Sequence, residues 1–168
     1  MATLHRKSTD RAVLHAGSHD TIRLIEADMT PGEEQALRSL VAGDIFHAHF
    51  TQWPQSEGPS LICLITSVTD DAILARTVST QVCFTFDRNT GHSRLWEPPV
   101  YASTTGEALV AVIDSIAPLP SNVHNALVAL DRHFRLGQFS SKPDRSHLTS
   151  EHKEALLFVA KYYPENPL

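Results

Sequence analysis

Leu61-Ile62-Cys63-Leu64-Ile65-Thr66-Ser67-Val68-Thr69-Asp70-Asp71-Ala72-Ile73-Leu74-Ala75-Arg76-Thr77-Val78 decides the fold class of this 168-residue chain. Its first eight residues form a nearly unbroken β-branched and apolar run, the pattern of a strand covered on both faces. Thr69-Asp70-Asp71 leaves room only for a tight connection, and Ala72–Val78 then alternates in the manner of a strand. Two strands joined so closely pair antiparallel.

The same reading extends outward. Upstream, Ile45–Thr51 is strand-like, and Trp53-Pro54-Gln55-Ser56-Glu57-Gly58-Pro59 is a loop too rich in Pro and Gly to continue any element. Downstream, Gln81–Phe86 leads into the turn Asp87-Arg88-Asn89-Thr90-Gly91, whose glycine suits a positive φ, and His92–Trp96 is the expected returning strand. The centre therefore reads as an antiparallel meander of four to five short strands, curled into a small barrel or a strongly twisted sheet.

Helical signals flank this region. Thr30-Pro31-Gly32-Glu33-Glu34 has an N-cap residue, a proline at the first helical position and acids in the first turn, followed by Ala36, Leu37 and Leu40 and a stop at Gly43. After Pro98-Pro99 the spacing predicts three more helices. The first, capped by Thr104 or Thr105, runs through Ile116 on a stripe of Leu109, Val112, Ile113 and Ile116. The second starts at Ser121, carries Val123, Leu127, Leu130 and Phe134, and stops at Gly137; the third, capped by Thr149, spans Ser150–Tyr163 and ends before Pro164. Strands in the middle and helices at the end, without βαβ alternation, define an α+β class. The expected organisation is a flexible N-terminal segment at 1–20, then one α+β domain over 21–168, opened by a strand at Thr21–Glu26, strand-rich over 44–97 and helical over 104–163.

Composition limits the function classes. Fourteen Lys and Arg against 19 Asp and Glu give a formal charge of −5, without the basic stripe of a general nucleic-acid binder. No stretch approaches the ~20 apolar residues of a membrane span, and Met1–Lys7 has no apolar leader core, so a cytoplasmic location is expected. Cys63 and Cys83, both in apolar strands, read as two reduced core thiols.

Ten histidines are present, and two of them share a strand, Phe46-His47-Ala48-His49-Phe50. Residues i and i+2 of a strand point the same way, so both imidazoles stand on one face while Phe46, Ala48 and Phe50 cover the other. Most simply, such a pair is the solvated face of a half-buried strand. It is also where zinc or an acid/base reaction could be held. As a metal site the pair needs a third ligand from His92, Asp87, Glu97 or a helix, and as a catalytic site its candidates are His47, His49 and Thr51. His49-Phe50-Thr51 resembles the His-x-Thr triplet that two-histidine phosphoesterases carry twice. His147-Leu148-Thr149 departs from that pattern, because Thr149 reads better as a helix N-cap and no second lobe accompanies it. The chain carries no G-x-S-x-G elbow, phosphate loop, H-E-x-x-H or dinucleotide fingerprint.

Candidate contact residues are Trp53 in the proline-rich loop, and Arg132, Arg135, Phe139 and Lys142 in one local basic cluster with aromatics. The first functional expectation is a non-catalytic protein-binding module, acting on a protein partner or on a second copy of itself, with no cofactor. The second is a histidine-dependent hydrolase, phosphoesterase or metal-binding enzyme centred on His47 and His49.

Overall fold

Thr30 starts the first helix as its sequence predicts. The Thr30 hydroxyl accepts from Glu33 N at 3.3 Å, and the Glu33 carboxylate accepts from Thr30 N at 2.6 Å, a complete capping box that leads into α1 (Pro31–Ser39). The computed structural model describes residues 29–51, 60–93, 110–137 and 148–168. The expected segment at 1–20, the strand at 21–26, Trp53, Trp96, Glu97, Phe139, Lys142 and His147 lie outside them.

Four strands follow α1: β1 (Ile45–Phe50), β2 (Leu61–Val68), β3 (Ala72–Thr77) and β4 (Cys83–Asp87). A fifth, β5 (Ala111–Ser115), pairs with β1, so the sheet order is β4-β3-β2-β1-β5, with every neighbour antiparallel. The sheet curls until its edges come within reach of one segment, in which Ser93 bridges to Phe86 of β4 and His92 bridges to Val112 of β5. The molecule is α+β, as expected. Two helices follow the sheet among the described residues, α2 (Ser121–Gly137) and α3 (Ser150–Glu165).

Two local expectations are corrected. The helix predicted through Ile116 is a strand where it is described: Ala111, Ile113 and Ser115 are buried and Val112 and Asp114 half-buried. Val112 and Ile113 fit either period, and pairing with β1 decided between them. The expected helical stretch is therefore interrupted by strand at Ala111–Ser115. Cys83 is exposed on β4, whereas Cys63 is buried and its thiol is pushed up by burial, which keeps it protonated. A smaller difference concerns α3, which passes Pro164 and ends at Glu165.

The sheet separates two cores. On the inner side Phe46, Ala48, Phe50, Leu61, Cys63, Ile65, Ile73, Ala75, Phe86, Ala111 and Ile113 pack with Leu37 and Leu40 near α1. On the other side Ile45 and Leu64, with Val78 just past β3, meet the predicted stripe of α2 (Val123, Leu127, Leu130, Phe134) and Ala155, Val159 and Tyr163 of α3. β2 contributes to both cores, as its unbroken apolar run requires. His47 and His49 alternate with Phe46, Ala48 and Phe50, so they belong to the helix-packed side.

Candidate functional site

The histidine pair is not a solvated strand face. Only 8 % of His47 is exposed, and both imidazoles turn onto one carboxylate: His47 Nδ1 lies 2.5 Å from Asp114 Oδ1 and His49 Nδ1 lies 2.9 Å from Asp114 Oδ2. An ionised carboxylate can only accept, so each ring donates an Nδ1–H, and in the neutral ring Nε2 carries the lone pair. Two donated bonds offset much of the cost of removing the carboxylate from water. The Ser60 hydroxyl stands 2.6 Å from His47 Nε2 and donates to it.

Strand register explains this meeting. Ala48 pairs with Leu61, so the antiparallel ladder continues to Ser60 opposite His49, on the same face as both histidines and diagonal to His47. On the other flank His47 pairs with Ser115 and Ala48 with Ile113, which leaves Asp114 as the extra residue of a bulge in β5. Regular alternation turns Asp114 away from Ile113, onto the histidine face, and would return Ser115 to the inner side. The bulge lets Ile113 keep its place in the inner core while Asp114 and Ser115 both reach the opposite side.

The end of α3 closes over this cluster. The Tyr163 hydroxyl donates to Ile45 O at 2.9 Å, and its ring centroid lies 5.9 Å from that of His47. Burial, with smaller contributions from Tyr162, Asp44 and Cys63, pushes the Tyr163 phenol well above its ordinary value, so it remains a donor.

The other sequence candidates fall elsewhere. The Thr51 hydroxyl donates to Val110 O at 3.1 Å and fastens the end of the β1–β5 pair. His92 is separated from the pair by β5, and its Nδ1 donates to Thr90 O at 2.9 Å. Asp87 Oδ1 accepts from Asn89 N and Thr90 N in its own turn. Among the described residues no group of three or more His, Cys, Asp or Glu is arranged to hold a metal ion. Thr149 caps α3, accepting from His152 N at 3.2 Å, which is the role its sequence context favours over that of a second catalytic triplet. Arg132 and Arg135 are exposed on α2.

Sequence reasoning missed Ser60 and Asp114. Ser60 has no motif around it. Asp114 was hidden inside a segment read as helix; a strand reading of Ala111–Ser115 would have offered it as a polar residue in an otherwise apolar edge. No described helix is long and apolar enough to cross a membrane. Comparison with family models, with curated proteins and with solved structures gives no match for this chain.

Proposed function

We propose that the protein is a histidine-dependent hydrolase in which Ser60 is the nucleophile, His47 the general base and Asp114 the orienting carboxylate. One observation carries this reading: the continuous chain Ser60 Oγ to His47 Nε2 at 2.6 Å and His47 Nδ1 to Asp114 Oδ1 at 2.5 Å. Nucleophile, base and orienting group within mutual hydrogen-bond reach are the arrangement that activates a hydroxyl. Ser60 is itself exposed, so a substrate can approach its Oγ. The substrate class is an acyl compound, an ester or an activated amide. Ser60 Oγ bonds to the acyl carbon as its proton passes to His47 Nε2. The same proton then goes to the departing alkoxide or amine, and water, deprotonated by His47, releases the acid and restores Ser60. Asp114 holds the His47 ring in the Nδ1–H tautomer throughout. His49 shares that carboxylate and limits its rotation.

The test is covalent labelling of the full chain with a fluorophosphonate, alongside a panel of p-nitrophenyl esters. The expected result is a single adduct at Ser60, abolished in Ser60→Ala and slowed by at least about a thousandfold in His47→Ala. A folded chain that takes no label and hydrolyses none of the esters overturns the reading, and the network is then a structural clamp between β1, β2 and β5.

A second reading, a protein-binding module, has its own support. Leu157 and Phe158 on α3 and Leu136 on α2 are exposed apolar side chains on the helical layer, and Phe158 stacks on Tyr162 with ring centroids 5.2 Å apart. Size-exclusion chromatography with light scattering checks it: a mass above the monomer that returns to the monomer in Leu157→Lys supports this reading, and a monomer at all concentrations removes self-association.

A further inference from the structure

A bulge is a fragile way to aim a catalytic carboxylate. Alternation from Val112 and Ile113 turns Asp114 to the histidine face, but as the extra residue of the bulge it has no partner of its own on β1, so the ladder does not pin its backbone. Something must hold the extra residue in place, and residues 163–168 make the contacts that do so. The Leu168 backbone N–H donates to the carbonyl of Asp114 at 2.7 Å, so the bulge residue itself is gripped. The hydroxyl of Ser115, the next residue, donates to the carbonyl of Asn166. Tyr163 fixes the same segment to β1 through Ile45 O, two residues before His47. Asn166 is locked to α3 in turn, its N–H donating to Tyr163 O at 3.0 Å and its side-chain amide to Tyr162 O at 2.7 Å.

We propose that residues 163–168 form a positioning strap that holds the Asp114 bulge in β5, and so keeps its carboxylate on His47 and His49. These are positioning residues, since none of them is in the Ser60–His47–Asp114 chain. The strap's bearing on catalysis rests on the hydrolase reading above, whereas its hold on Asp114 can be observed without any activity.

Leu168 allows a test at the level of one N–H. Leu168→Pro deletes the donor to Asp114 O, and Leu168→Ala keeps it. The first readout is the proton spectrum of the carboxylate-bound His47 Nδ1–H, assigned by its loss in His47→Gln. The second is the rate of Ser60 labelling by the fluorophosphonate across pH, and thermal melting reports the global fold. Leu168→Ala is expected to match the wild type. Leu168→Pro should melt cooperatively, lose the Nδ1–H resonance and label Ser60 at least about tenfold more slowly, as loss of an orienting carboxylate does. Ser115→Ala, which removes the second tie and leaves the strand backbone intact, should weaken the same resonance, and it decides the matter if Leu168→Pro does not fold. An unchanged resonance in folded Leu168→Pro, or in Ser115→Ala where the proline variant fails to fold, overturns the strap. A wild-type chain that never labels, yet loses the resonance in Leu168→Pro, supports the strap and overturns only the hydrolase reading.

Discussion

Arg76 and Asp131 join the sheet to α2 through two parallel hydrogen bonds, Nε to Oδ1 and Nη2 to Oδ2, each of 2.7 Å. Asp131 is 3 % exposed, and Gln81, held at a φ of 60°, adds a third bond of 3.0 Å to its Oδ1. Burial by itself would raise the Asp131 carboxyl. Hydrogen bonds from Arg76 and Gln81, with the charges of Arg76 and Arg135, outweigh that and hold it below the ordinary carboxylate value.

This pair makes stability depend on acid in a defined direction. A lowered folded-state value means that the stabilisation is complete above the unfolded value of about 3.9 and is lost as pH falls through the lower folded value. Urea midpoints of the wild type and Asp131→Asn should differ by a constant amount above about pH 5 and converge below about pH 4. A gap that stays constant down to pH 2 contradicts the assignment.

Removing one partner of the pair should be worse than removing both. Asp131→Ala leaves a guanidinium largely out of water and should cost about 3 kcal/mol, whereas Arg76→Met combined with Asp131→Leu should lie within about 1 kcal/mol of the wild type. Denaturant unfolding of the three variants measures both quantities. An additive double variant would show that the ion pair is not the linkage.

Asp114→Asn should change a tautomer. An amide can accept from one Nδ1–H, but its NH₂ then faces the other ring, where a donor would meet a donor. One imidazole is expected to move its proton to Nε2, at a cost of about 1–3 kcal/mol to the fold. Nitrogen-15 spectra of the two rings report the tautomers directly; two unchanged Nδ1–H rings contradict the shared-carboxylate geometry.

Gly91 closes the turn between β4 and the bridging segment at a φ of +68°, and a Cβ built there would sit 3.3 Å from Leu37 Cδ1. Gly91→Ala should lose about 1–2 kcal/mol through left-handed backbone strain, with the crowding of α1 added to it. Thermal or urea unfolding measures the loss. An equal or greater stability would mean that the turn rearranges at no cost.

Phe46 meets Phe86 edge to face, with centroids 5.2 Å apart and an interplanar angle of 87°, and both rings are fully buried. Phe46→Ala should cost about 3–5 kcal/mol, the range for a large core ring cut to a methyl. The urea midpoint should fall accordingly, and a loss under 1 kcal/mol would place the inner core elsewhere.

Much of the frame was legible in the residues alone, because it rests on local periodicity and local chemistry. The double-sided run Leu61–Val68, the cap at Thr30, the stripe Val123–Leu127–Leu130–Phe134 and the positive φ at Gly91 each follow from what a few neighbouring side chains and backbone groups require. So did the shared face of His47 and His49, since a strand offers no other arrangement. What the sequence could not supply was anything that depends on which strands become neighbours. Ala111–Ser115 suits a helix or a strand until it meets β1, and Asp114 reaches the histidines only because that pairing sets β5 beside them. Ser60 enters the site through a diagonal relation across β2, and residues 163–168 enter it through the packing of α3. Those placements are set by long-range pairing and by the burial of two cores on one sheet, and neither leaves a signature in a short window of sequence.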